Sequence, residues 1–128
     1  MRSTEHEIAV AFMVWWSYWS RSKKIEERLL WATPNGGHRH PAVARKLKAE
    51  GVRAGVSDYF LAVPRGGYHG LFLELKAEGG RASVDQLAFG NSVTEQGYRF
   101  CIARGADEAS KAIESYLIRP TQLAGGND

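Results

Sequence analysis

Residues 51–76 read GVRAGVSDYFLAVPRGGYHGLFLELK. A short turn leads into an extended run that begins at Asp58. A Pro- and Gly-containing loop follows over 64–69, and a second extended run ends at Lys76. Side chains alternate along a strand, so Phe72, Glu74 and Lys76 share one face and Leu71, Leu73 and Leu75 the other. The leucine face is suited to packing against a helix. The opposite face ends an apolar run with two charges, which core strands seldom carry without a partner. A metal ion is one such partner, and Asp58 on the neighbouring strand supplies a second carboxylate.

Working outward, residues 4–20 predict a helix. Thr4 and Glu7 fit a capping box, and Ile8, Phe12, Trp15 and Trp19 recur at helical spacing as one stripe. The cluster Trp15, Trp16, Tyr18 and Trp19 is expected in the core, with part of it available as a dimer surface. Glu5 stands at the edge of the stripe. It reads either as a solvated first-turn carboxylate favoured by the helix dipole or as an acid leaning toward a site, with Glu7 as its competitor. Residues 21–28 form a charged connection and 29–32 a short strand. The Pro34-Asn35-Gly36-Gly37 segment is a turn by composition.

Pro41 suits the first position of a helix that runs to about Glu50, with Gly51 at its end. Arg39, Arg45, Lys46, Lys48 and Arg53 lie on or beside it, five cations that fit either a phosphate backbone or a solvated face. His38 and His40 have the spacing of a metal pair but lack a third nitrogen or sulfur ligand nearby, so loop histidines are the expectation. After Lys76, a Gly-containing turn precedes a helix from Ser83 to about Gln96 with Val84, Leu87 and Ala88 as its apolar face. Gln86 has two readings, a capping partner of Ser83 or a group turned toward Glu74 and Lys76. Residues 98–103 predict a strand, and Asp107 a cap for a helix to about Leu117 with Ala109, Ala112, Ile113 and Tyr116 inward. One domain over 1–118 and a frayed tail over 119–128 are expected.

With 44% apolar and 24% charged residues in 128, the chain has the composition of an ordinary globular domain. A net charge of +3 is compatible with nucleic acid without requiring it. The single cysteine, Cys101, cannot close an internal disulfide, which fits a reducing compartment. No run reaches the length of a membrane span, and acidic residues precede the apolar stretch at 8–16. A cytoplasmic location, in a bacterium or a phage-infected host cell, with no secretion signal and no membrane partner is therefore the expectation.

An aspartate followed about fifteen residues later by Glu-x-Lys resembles the PD-(D/E)XK nuclease core. The surrounding words resemble the VRR-NUC (virus-type replication-repair nuclease) branch: Pro34-Asn35-Gly36-Gly37, Gly51-Val52-Arg53-Ala54-Gly55-Val56-Ser57-Asp58, Glu74-Leu75-Lys76 and Gln86. The resemblance spans roughly residues 5–117. Ser57 stands where that family usually has proline, and Ala9 where it has a glutamine. The resemblance implies a restriction-endonuclease-like α/β fold, a central mixed β-sheet flanked by α-helices. It implies a metal-dependent DNA endonuclease whose small, stand-alone members act on branched or structured DNA such as four-way junctions or flaps, with a homodimer as the expected assembly. It also implies catalytic roles for Asp58, Glu74, Lys76, Gln86 and Glu5, and places Asn35 beside a bound strand.

Phosphodiester hydrolysis needs an activated water, charge neutralisation on the phosphate and a stabilised leaving oxygen. A hard cation held by oxygens assists all three, which favours Mg2+ or Mn2+ over zinc. Asp58, Glu74 and the Leu75 carbonyl are the expected ligands. Lys76 orients the attacking water or steadies charge at phosphorus. Against this stand a plain buried ion-pair network, a catalytically inactive DNA-binding domain of the same fold, and an interaction module built on the tryptophan-rich helix.

Overall fold

The computed structural model describes residues 3–34 and 40–121. Among them, four strands form one mixed sheet in the order β1 (Leu30–Ala32), β2 (Tyr59–Leu61), β3 (Leu71–Lys76) and β4 (Arg99–Arg104). The first two pairings are antiparallel and β3–β4 is parallel. The helices are α1 (Glu5–Ser22), α2 (Pro41–Ala49), α3 (Val84–Glu95) and α4 (Ala106–Leu117), of which α1, α3 and α4 pack on the sheet. A 3-10 turn, Glu27–Leu29, leads into β1. This is the mixed sheet with helices that the family resemblance implies. As a parallel pair requires, a helix, α3, carries the chain from β3 to β4.

The leucine face of β3 forms the main core. Leu71, Leu73 and Leu75 are buried with Leu61, Tyr59 and Ala103 beneath α1 and α4. From α1 come Ile8, Phe12 and Trp16, and from α4 Ala109, Ile113 and Tyr116. The Phe12 ring meets Tyr59 edge-on at 5.1 Å, and the Tyr116 hydroxyl donates to the Val63 carbonyl at 2.6 Å. The predicted capping box starts α1: the Thr4 N–H donates to Glu7 Oε1 at 2.8 Å, and the Glu7 N–H to Thr4 Oγ1 at 3.1 Å.

Local chemistry also decides where the structure departs from expectation. Trp16, rather than Trp15 or Trp19, continues the buried line of α1; the other two are half-buried and stack on each other at 5.2 Å. Trp16 can be enclosed because its indole N–H donates to the Glu27 carbonyl at 2.8 Å. Tyr18, expected in the core, is exposed.

The predicted apolar face of α3 is also corrected, since Val84, Leu87 and Ala88 all face solvent. The inward line is Gln86, Phe89, Gly90 and Val93. Gly90 permits the approach: a Cβ there would lie 2.5 Å from the Phe100 ring of β4. At α4, Gly105 with φ 92° is the residue before the first turn, so Asp107 lies inside the helix rather than capping it. Of the expected tail, residues 119–121 are ordered by contacts to the loop, where Arg65 bridges to Thr121 and the Gly66 N–H donates to the Pro120 carbonyl at 2.8 Å, and residues 122–128 lie outside the described residues.

Candidate active site

The β2–β3 register pairs Tyr59 with Leu73. Continued by one residue, it sets Asp58 opposite Glu74. Asp58 precedes β2 and its carboxylate crosses to β3, where Oδ2 accepts the Leu75 N–H at 2.7 Å. The N–H and C=O of one strand residue point to the same side. The Leu75 carbonyl therefore faces the same edge as Asp58.

Glu74 is 1% exposed, on a strand otherwise built of leucine and phenylalanine. Its Oε2 accepts the Gln86 side-chain N–H at 2.8 Å and stands 3.7 Å from the Lys76 ammonium. Its Oε1 is buried without a hydrogen-bond partner. Burial, and then the adjacent Asp58 carboxylate, push the Glu74 carboxyl up to about 8, with Lys76 acting in the opposite direction. The neighbouring Asp58 carboxylate disfavours the ionised form of Glu74, a repulsion that a bound cation would relieve.

Gln86 reconciles its two readings. Its Oε1 accepts the Ser83 N–H at 2.7 Å while Ser83 Oγ accepts the Gln86 N–H at 3.1 Å, which is the capping box. The same amide's nitrogen donates to Glu74. The two roles do not compete, because one end of the amide serves each.

Asp58, Tyr59 and Leu75 line a cleft of about 220 Å3 together with Glu5, His6, Ala9, Ala32 and Thr33. Glu5 thus faces the same space as Asp58, whereas Glu7 is engaged in the cap of α1. His6, Thr33 and Ala32 are the cleft residues that sequence reading missed. Thr33 was accessible to it through strand pairing, since its N–H donates to the Asp58 carbonyl at 2.7 Å. A larger cleft, about 920 Å3, lies between the first turns of α1 and α4 and is lined by none of Asp58, Glu74, Lys76 or Gln86.

Arg45, Lys46, Lys48 and Arg53 are exposed on α2 and the loop after it. Asn35, Arg39 and His38 lie outside the described residues. His40 accepts the Ala42 N–H through Nδ1 at 3.1 Å and caps α2. Gly55, at φ 86°, ties this loop to α3, since a Cβ there would sit 2.3 Å from the Asp85 carbonyl oxygen. The cationic loop is thereby fixed one residue from Gln86.

The profile of the VRR-NUC domain matches residues 4–107. The chain belongs to the VRR-NUC family. A solved structure described as a VRR_NUC domain protein superimposes with a TM-score of 0.78 at 27% identity, covering 93% of this chain and 92% of that one. Comparison with curated proteins gave no match. VRR-NUC is a nuclease family, so a nuclease-type function and contact with DNA follow for this domain. No described helix of this VRR-NUC domain is long and apolar enough to cross a membrane.

The donor set of this VRR-NUC site suits a hard divalent cation. Among the described residues no cluster of three or more His, Cys, Asp or Glu side chains exists. The site offers two carboxylates and a backbone carbonyl, all oxygen, and one of those oxygens, Glu74 Oε1, is buried without a partner.

Proposed function

We propose that this chain is a Mg2+- or Mn2+-dependent endodeoxyribonuclease that hydrolyses phosphodiester bonds in branched or structured DNA, such as four-way junctions and flaps. One observation carries the reading. A buried glutamate with a partnerless oxygen adjoins a second carboxylate, with a lysine ammonium and a glutamine amide on its other oxygen.

Asp58 and Glu74 would hold the cation, with the Leu75 carbonyl beside them. Such an ion, when bound, neutralises phosphate charge and makes a coordinated water more acidic. The chain's own residues do the rest. Gln86 holds Glu74 Oε2 by a hydrogen bond, which leaves Oε1 for ligation. Lys76, partly buried beside Glu74, presents a positive charge to the phosphate as negative charge grows there. Glu5 lines the cleft that Asp58 and Leu75 also line, where it can accept a hydrogen bond from an attacking water. Arg45, Lys46, Lys48 and Arg53 contact the DNA backbone.

A homodimer is part of this reading. Positions 8–20 of α1 contain no charged residue, yet Val10, Val14 and Tyr18 on its outer face are exposed. A second copy seated there would bring two active sites to one junction, and light scattering reports whether it forms.

The decisive assay incubates the protein with single-stranded, duplex, flap and four-way-junction DNA, with and without magnesium. Cleavage of the branched substrates that requires magnesium, and is lost in Asp58→Ala and Lys76→Ala without loss of fold, is expected. Salt-sensitive binding without cleavage in either metal would identify an inactive DNA-binding domain instead.

A further inference from the structure

One face of the sheet carries a continuous aromatic row. Trp31, Phe60, Phe72 and Phe100 are direct cross-strand neighbours over all four strands. Trp31 meets Phe60 edge-on at 5.2 Å, and Phe60 lies 4.4 Å from Phe72. The α3 end of the row is covered, with Phe72 against Phe89 at 5.1 Å and Phe100 under Gly90. The β1 end is not. Trp31, on the edge strand, is 47% exposed.

This face is also the face of the acids. Phe60 is two residues from Asp58, and Phe72 two residues from Glu74, a distance of about 7 Å along a strand. The aromatic row therefore lies within about one nucleotide's length of a phosphate held at Asp58 and Glu74.

We propose that the exposed face of Trp31, backed edge-on by Phe60, is a stacking platform for an unpaired nucleobase of the DNA, next to the cleaved phosphate. The inference rests on the nuclease reading for where the DNA lies, and it adds a substrate feature: a base free of its partner at that position. The chemistry matches, since every nucleobase has a π-face and aromatic side chains hold bases by stacking whatever their sequence. A base inside a duplex is already stacked on both sides and cannot lie flat on an indole. The platform therefore favours single-stranded arms, flaps and junction centres over continuous duplex.

The test uses the whole chain in chelator, so that binding is read without cleavage. A fluorescein-labelled oligothymidylate and a blunt duplex of equal length are titrated with the parent, Trp31→Ala and Trp31→Phe, following anisotropy. Trp31→Ala is expected to lower the ratio of single-strand to duplex affinity by about fivefold or more, and Trp31→Phe to restore most of it. An unchanged ratio in Trp31→Ala overturns the platform. So does a change of Trp31→Ala from dimer to monomer by light scattering with the ratio unmoved, which would assign the tryptophan to a second copy of the chain. Failure of the platform and failure of the nuclease reading separate cleanly. Magnesium-dependent cleavage with a Trp31-independent ratio sinks only the platform. A Trp31-dependent ratio with no cleavage in any metal sinks only the nuclease.

Discussion

In metal-free protein, Glu74→Gln should stabilise the fold, and by an amount that depends on pH. The folded Glu74 carboxyl is pushed up to about 8 by burial and by Asp58, from an ordinary value of 4.5. Between those values the folded state holds a proton that the unfolded state has released. Stability falls wherever the folded state binds more protons and pH rises. The contribution of Glu74 is therefore most favourable below 4.5, declines as pH climbs, and is fully lost above about 8. At pH 7 the chain is two and a half units above the ordinary value. At about 1.4 kcal/mol per unit, the cost is about 3 kcal/mol. Glutamine keeps the shape and can still accept from Gln86, but it has no charge to bury. Urea unfolding in chelator at about pH 5 and pH 7 measures the effect. The parent should lose stability between the two, and the variant much less.

Magnesium reverses the order. A cation that displaces the Glu74 proton binds the folded parent better as pH rises, so the parent should gain stability with magnesium at pH 7 and little at pH 5. The Gln variant, with one carboxylate left, should gain little at either. Equal pH dependence of parent and variant in chelator would mean that the Glu74 carboxyl is not raised in the folded state, and no repulsion would be left for a cation to relieve.

Gln86→Glu should keep the cap of α3, because a carboxylate oxygen still accepts the Ser83 N–H, yet abolish cleavage by setting a third carboxylate against Glu74; unchanged turnover would remove Gln86 from the site. Ser83→Ala should cost about 1 kcal/mol in thermal unfolding and lower the cleavage rate through looser placement of Gln86. Gly90→Ala, which helix propensity alone would favour, should instead destabilise by about 1–3 kcal/mol, because the Phe100 ring already occupies the space the methyl needs. Replacing Arg45, Lys46 and Lys48 by glutamine should reduce the salt dependence of DNA binding, by about 0.9 in slope for every phosphate no longer neutralised, and a slope equal to the parent's would place the DNA elsewhere.

What was legible in the sequence was short-range. The two strands flanking the 64–69 loop, the capping boxes at Thr4 and Ser83, and the Pro41 start of α2 follow from alternation and from donor–acceptor chemistry within four residues. The line through Asp58, Glu74 and Lys76 was legible because only one face of an apolar strand carried charge. The failures concern which side of a helix meets the sheet. Val84, Leu87 and Ala88 look like a core face because apolar residues usually go inward. Here the inward line contains a glutamine, and the carboxylate that makes its burial favourable lies on another element. Trp16 and Trp19 are equivalent by spacing. Only the Glu27 carbonyl, eleven residues from Trp16, selects the one to enclose. Asp107 lost its capping role to Gly105, whose positive φ lets the chain turn directly from β4 into α4.

The amide of Gln86 shows how local chain chemistry can set the state of a distant acid. A backbone N–H can only donate, so the atom facing Ser83 must be the amide oxygen. The nitrogen is then the only atom left to face Glu74, and a flipped amide would break the cap and set oxygen against oxygen. The orientation at the carboxylate therefore follows from how the helix begins, with no further residue needed to hold it. That helix start is positioned in turn by Gly55, whose backbone lies against Asp85 too closely for any side chain. A continuous line of packing thus runs from the Arg53 loop, through the first turn of α3, to the buried acid of β3. A side chain placed at Gly55 would push the cationic loop and the Gln86 amide apart. It should impair DNA binding and Glu74 placement together, although it touches neither.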